Sequence, residues 1–127
     1  MTLAMSGTGS AGMETCVVNL LEPGDSILVC VNGVFGKRMA DVASRCGAYV
    51  TVLETDWGKV FDPQLIEQTL KNDQFKVVGI VHAETSTGAC QPIEEISKLV
   101  HRHGALLLVD AVTSLGGMNV DVDKWQI

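Results

Sequence analysis

The chain has 127 residues, 46% of them hydrophobic but only 5% aromatic, which suits one domain, or part of a larger one, with an aliphatic core. A formal net charge of -6 with no basic cluster argues against nucleic acid or an anionic membrane surface as a partner. No apolar run reaches the length of a membrane span, and the first residues are too short and uncharged for a secretory signal.

In chain order, apolar, β-branched runs predict strands at residues 2–5, 26–31, 49–53, 77–82 and 105–110. Their nearly continuous apolar character predicts strands covered on both faces. Helical patterns fall between them at 11–21, 36–45, 63–71 and 93–103. In the third of these, Asp62 is placed to cap the helix and Pro63 to fit its first turn, while Leu65, Ile66 and Leu70 share a face. Glu22 to Asp25, reading Glu-Pro-Gly-Asp, form a turn between helix and strand. The alternation predicts an α/β fold with a mostly parallel, doubly wound sheet. No repeat, linker or internal domain boundary interrupts it. The closing residues, VDVDKWQI, read as the approach to a further strand, so the chain is expected to be an excerpt of a larger α/β domain. Cys16, Cys30, Cys46 and Cys90 form no C-x-x-C pair and read as buried free thiols of an intracellular, reducing compartment rather than as disulfides or a zinc site.

The first candidate site is the turn around Gly7, Gly9 and Gly12, which spell G-x-G-x-x-G. N–H groups at a helix start, with the helix dipole behind them, form an anion site, and Thr8 and Ser10 can add hydroxyl donors. A tight turn that needs small residues explains the glycines equally well. A dinucleotide site also requires an acid at the end of the next strand, about 20 residues on, and that strand ends at Asn32 and Gly33 instead. No Gly-Lys-Ser/Thr follows, so a P-loop fails too, and a single phosphate group is the better match.

Three other strand ends face the same way, because ligands of open α/β sheets bind at the carboxyl ends of the strands. Asp110 follows an apolar run, so its carboxylate is expected to be buried with a partner, either a loop group or a cationic ring nitrogen. A metal is the weaker partner, since Asp121 and Asp123 lack ligand spacing from it. The stretch from His82 to Ala89, HAETSTGA, is a polar, hydroxyl-rich loop. Phe35 stands between two glycines at a strand-to-helix corner, as a core lid or as a surface for stacking on a flat ring. His82 is placed either for a structural hydrogen bond or against a ligand, and His101 and His103 sit at a helix end. A phosphate cradle, a stacking aromatic, a hydroxyl loop and an aspartate describe a small planar aromatic phosphate, and pyridoxal 5'-phosphate has all four counterparts.

Five stretches, SGTGSAGME, LEPGD, NGVFGKR, HAETSTGA with the following QP, and LLLVDAVTSLGG, occur in this order over nearly the whole chain. In them the sequence resembles the class V, fold type I aminotransferases that use pyridoxal phosphate, in particular the alanine–glyoxylate and serine–pyruvate group. The resemblance implies that Thr8, Gly9 and Ser10 bind the cofactor phosphate, and that Phe35, where a tryptophan is common, stacks on the ring. It implies that Thr85 lies near the ring oxygen, that Asp110 pairs with the ring nitrogen as the catalytic aspartate, and that Val112 packs on the ring's other face. It further implies a homodimer acting on small amino acids and 2-oxo acids: alanine or serine donates an amino group to glyoxylate or pyruvate in a ping-pong reaction. Cytoplasm, or a peroxisome or mitochondrion in a eukaryote, would be its location.

The same resemblance places the Schiff-base lysine in a Ser-x-x-Lys type motif beyond Ile127, with Lys124 as no substitute. It assigns residues 1–127 to part of the large cofactor-binding domain, without the N-terminal segment, the lysine region or the small C-terminal domain with its substrate arginine. Two other readings stand beside it: a fragment of an NAD-binding oxidoreductase, resting on the glycine motif, and a truncated, noncatalytic product.

Overall fold

The computed structural model describes residues 2–127. Its elements run α1 (Gly9–Leu20), β1 (Ser26–Val31), α2 (Val34–Arg45), β2 (Tyr49–Glu54), α3 (Pro63–Asn72), β3 (Val77–Val81), α4 (Ile93–Arg102), β4 (Leu106–Asp110) and the short α5 (Val122–Trp125). The strands form one sheet in the order β2-β1-β3-β4, and every pair is parallel. The expected doubly wound α/β fold is therefore what forms.

The side chains of β1 alternate between two aliphatic cores. Leu28 and Cys30 join Ile66, Ile96 and Val100 of α3 and α4 on one face. Ile27, Val29 and Val31 join Val17 of α1 and Met39 and Ala43 of α2 on the other. Parallel strands need crossovers, and the crossovers put helices on both faces.

Complete burial holds for β3 and, beyond its first residue, for β1. The outer strands differ from expectation: Tyr49 on β2 is 71% exposed and Leu106 on β4 is 48% exposed, because each strand pairs on one side only among the described residues. Residues 2–5 form no strand. Leu3 and Met5 are exposed, and the segment pairs with no strand of the sheet. Among the closing residues Val122–Trp125 form the helical turn α5, and the Ser97 hydroxyl donates to the Trp125 carbonyl. Of the cysteines, all free, only Cys30 is fully buried, and burial pushes its thiol up to about 12. Cys16 and Cys90 are exposed, Cys16 because it sits one position off the buried stripe of Met13 and Val17 on α1. Among the described residues no helix is long and apolar enough to cross a membrane.

Two buried amides fasten the loop that leads into α3. Asn32 Nδ2 donates to the Lys59 carbonyl at 2.9 Å, and Gln91 Oε1 accepts from the Phe61 N–H at 3.0 Å. The Asp62 side chain accepts from the Gln64 N–H at 2.9 Å, so the helix cap expected there is made.

Gly36 seats α2 on β1: an added Cβ would lie 3.1 Å from both the Cys30 carbonyl oxygen and the Val31 Cα. Those atoms belong to a doubly paired strand and have little freedom to withdraw. Helix propensity alone would favour a larger residue at this position. We expect Gly36→Val to cost about 2 kcal/mol through overpacking, measured by chemical denaturation. A gain in stability would show that α2 does not rest on β1 through this glycine.

Candidate functional site

The strand order sets where a ligand crevice forms. From β1 the chain runs outward to β2, then crosses back past β1 to start β3, so the order reverses between β1 and β3. In open α/β sheets that reversal leaves a crevice beyond the strands' carboxyl ends. A cleft of about 130 Å³ opens there. Thr8, Gly9, Ser10, Phe35, Thr85, Asp110 and Val112 all line it, together with Met13, Val81 and Thr113. The structure thus brings together every site residue expected from the sequence.

Thr8 starts α1. Its backbone is extended and its Oγ1 accepts from the Ala11 N–H at 3.3 Å, the usual way to satisfy one of the free donors of a first turn. The first turn of α1 carries no acidic side chain. Among the described residues, no protein group accepts from the N–H of Gly9 or Ser10. Gly9 is required sterically: a Cβ there would lie 2.6 Å from Val112 Cγ2, so Val112 closes over the start of the helix.

Asp110 ends β4 and is half-buried rather than buried. Its Oδ1 accepts from the Val112 N–H at 3.0 Å, closing the turn that carries Val112. Its expected partner is therefore a backbone donor two residues on, and an edge strand explains the shortfall in burial. The Thr85 and Thr113 hydroxyls share a hydrogen bond that ties the loop after β3 to the turn after β4.

His82 lies behind this turn, 3% exposed, with Nδ1 at 2.9 Å from Ser114 Oγ. Ser114 Oγ also lies 3.3 Å from the Ala111 carbonyl, so the hydroxyl sits between the imidazole and the turn after β4. The Trp125 indole meets the imidazole edge-on at 5.7 Å and 84°. Of the two roles open to His82, the structural hydrogen bond is the one present. His101 and His103 end α4, where His101 Nε2 lies 2.7 Å from the Gln126 carbonyl.

Glu84 is the residue that the sequence reading passed over. Its side chain is fully buried, and its oxygens accept from the N–H groups of Phe35 and Gly36, both at 3.2 Å, and from the Ser86 hydroxyl at 2.7 Å. A signal was available: Gly33 precedes α2 where a capping side chain would stand, so the cap had to come from elsewhere in the chain.

The glycine motif does not sit as a dinucleotide fingerprint requires. Among the described residues no strand leads into it, a Cβ on Gly12 would touch nothing, and the Asn32 side chain is committed to the Lys59 carbonyl. That removes the basis for the NAD reading.

Fold and cleft together define an open, doubly wound α/β domain with its crevice at the reversal of strand order. Within that class the chain belongs to the aminotransferase class-V family, whose profile matches residues 2–127. It is 42% identical over 123 residues to the (S)-ureidoglycine–glyoxylate transaminase of Bacillus subtilis, covering 97% of this chain and 30% of that protein. It is 43% identical over 124 residues to the alanine–glyoxylate aminotransferase of Oryctolagus cuniculus, covering 98% of this chain and 32% of that one. The solved alanine–glyoxylate aminotransferase of Nostoc sp. superposes with a TM-score of 0.95 at 46% identity, over 98% of this chain and 33% of its own. The chain thus spans about a third of the length of the relatives it matches.

Burial lowers the His82 pKa from the ordinary value of 6.5, because the imidazolium would be poorly solvated there. With the folded value depressed, the unfolded chain binds the proton first. Stability is then full above about 6.5 and falls as pH drops below it, by at most about 1.4 kcal/mol per pH unit. Denaturation of the protein and its His82→Asn variant between pH 4.5 and 8 checks this. We expect the difference between them to shrink toward acid, and a constant difference would contradict it.

Proposed function

We propose that this chain is the cofactor-binding part of a pyridoxal-phosphate-dependent aminotransferase that moves an amino group from alanine or serine to glyoxylate or pyruvate. The convergence of the seven cleft residues carries this reading. The cleft has counterparts for each part of the cofactor: open N–H groups at a helix start for a phosphate, and Phe35 and Val112 for two ring faces. The Gly9 cradle, which a Cβ would fill, is the most demanding of these features.

In this reading Thr8, Gly9 and Ser10 hold the phosphate, with the α1 dipole adding to the attraction. Phe35 and Val112 confine the ring between them. Thr85 would stand on the side of the ring oxygen, and Asp110 would hold a proton on the ring nitrogen. When bound, pyridoxal phosphate supplies an electron sink that eases loss of the substrate α-proton. Asp110 Oδ1 is anchored by the Val112 N–H, which leaves Oδ2 for the ring nitrogen.

No lysine lines the cleft. Lys124 reaches Glu94 at 3.6 Å, and Lys37 pairs with Glu54 and covers the Trp57 ring. We assign residues 1–127 to part of the large domain, with the cofactor-linking lysine and the substrate arginine supplied by the rest of the full-length protein. The acceptor reading draws support from glyoxylate in the names of both relatives. A homodimer accords with the exposed Leu115 and Met118, and a reducing compartment with four free cysteines.

The test uses the full-length natural protein. We expect one phosphopyridoxyl adduct after pyridoxal phosphate and borohydride, and amino transfer from alanine to glyoxylate. Asp110→Asn should keep the cofactor while kcat falls on the order of a hundredfold or more, as when a charge-stabilising group is lost. A protein that takes up no adduct would overturn the reading.

A further inference from the structure

The first turn of α2 has three backbone donors ahead of its first intrahelical bond, and all three are taken by side chains some fifty residues on in the chain. The Val34 N–H donates to Ser86 Oγ at 3.0 Å. The Phe35 and Gly36 N–H groups each donate to Glu84 Oε2 at 3.2 Å. Glu84 Oε1 accepts from the Ser86 hydroxyl at 2.7 Å and from its N–H at 3.3 Å. Every group facing the side chain is a donor, which matches a carboxylate and no other protein side chain of that length. The seat is close-fitting: a Cβ on Gly33 would lie 2.5 Å from Glu84 Cδ and 2.6 Å from Ser86 Oγ.

A local cap would have sufficed to start the helix. The long-range carboxylate does more, because it joins two segments that both line the cleft. Phe35 hangs from the turn that Glu84 holds, and Thr85 lies between Glu84 and Ser86 in the chain. We propose that Glu84 is a positioning residue that sets the distance from Phe35 to Thr85 and so shapes the seat of the cofactor ring. This rests on the cofactor reading above and adds to it a residue that touches no ligand.

Glutamine at 84 would leave one accepting oxygen and turn an N–H₂ group toward backbone N–H groups. Ser86→Ala removes one side of the clip from an exposed residue, so it tests the idea even if Glu84→Gln fails to fold. Both variants are made in the full-length protein and titrated with pyridoxal phosphate and, separately, inorganic phosphate. Visible circular dichroism reports the ring's setting. We expect pyridoxal phosphate to weaken roughly tenfold in Glu84→Gln and about threefold in Ser86→Ala, with a reduced dichroism band. Inorganic phosphate should bind as before, since the start of α1 is untouched. A purely structural role would weaken both ligands alike, and that result, or unchanged ring binding, overturns the inference. An unmodified protein that binds no pyridoxal phosphate would instead overturn the cofactor reading, and this inference with it.

Discussion

Two helices begin at the cleft, and each brings backbone N–H groups that no carbonyl of its own helix can accept. Such donors must be satisfied, and at α1 and α2 they are treated in opposite ways. At α2 the whole first turn is filled from within by Glu84 and Ser86. At α1 only the Ala11 N–H is taken, by Thr8, and no acid enters the turn. One helix start is thereby made rigid and closed to anions, and the other keeps its partial positive charge turned to the cleft. The rest of the site follows from this difference. Phe35 is fixed because its helix is capped, and Val112 can close over Gly9 because glycine leaves the space.

The sheet makes that arrangement possible. Strands β1 and β3 are aliphatic and buried on both faces, so they form a stiff centre from which the loops to Phe35 and Glu84 both leave. The bonds across the cleft, from Glu84 to α2 and from Thr85 to Thr113, link neighbouring loops without any further secondary structure. His82 supports the outer turn from beneath through Ser114.

Much of this was legible in the sequence where the physics is local. The continuous apolar runs marked β1 and β3, Asp62 and Pro63 marked the start of α3, and Glu22 to Asp25 marked a turn in which Gly24 adopts φ +94°. Thr8, Gly9, Ser10, Phe35 and Asp110 were legible because they stand at strand ends and helix starts, whereas Thr85 and Val112 were singled out only by the family resemblance. What escaped depends on distant partners. Residues 2–5 look like a strand, yet among the described residues they pair with no strand of the sheet. Asp110 looks buried from its apolar run, yet an edge strand leaves it half-exposed. Glu84 reads as one polar residue in a hydroxyl-rich loop. Its role appears only once a helix 48 residues away is seen to lack a cap of its own.

The most direct test of the account compares the amide resonances of the full-length protein when pyridoxal phosphate or phosphate-free pyridoxal is added. Phosphate-dependent shifts are expected at Gly9 and Ser10, where donors are open, while Phe35 and Gly36 respond equally to both ligands through the ring alone. Phosphate-dependent shifts at the start of α2, or none at α1, would contradict the division of labour between the two helices.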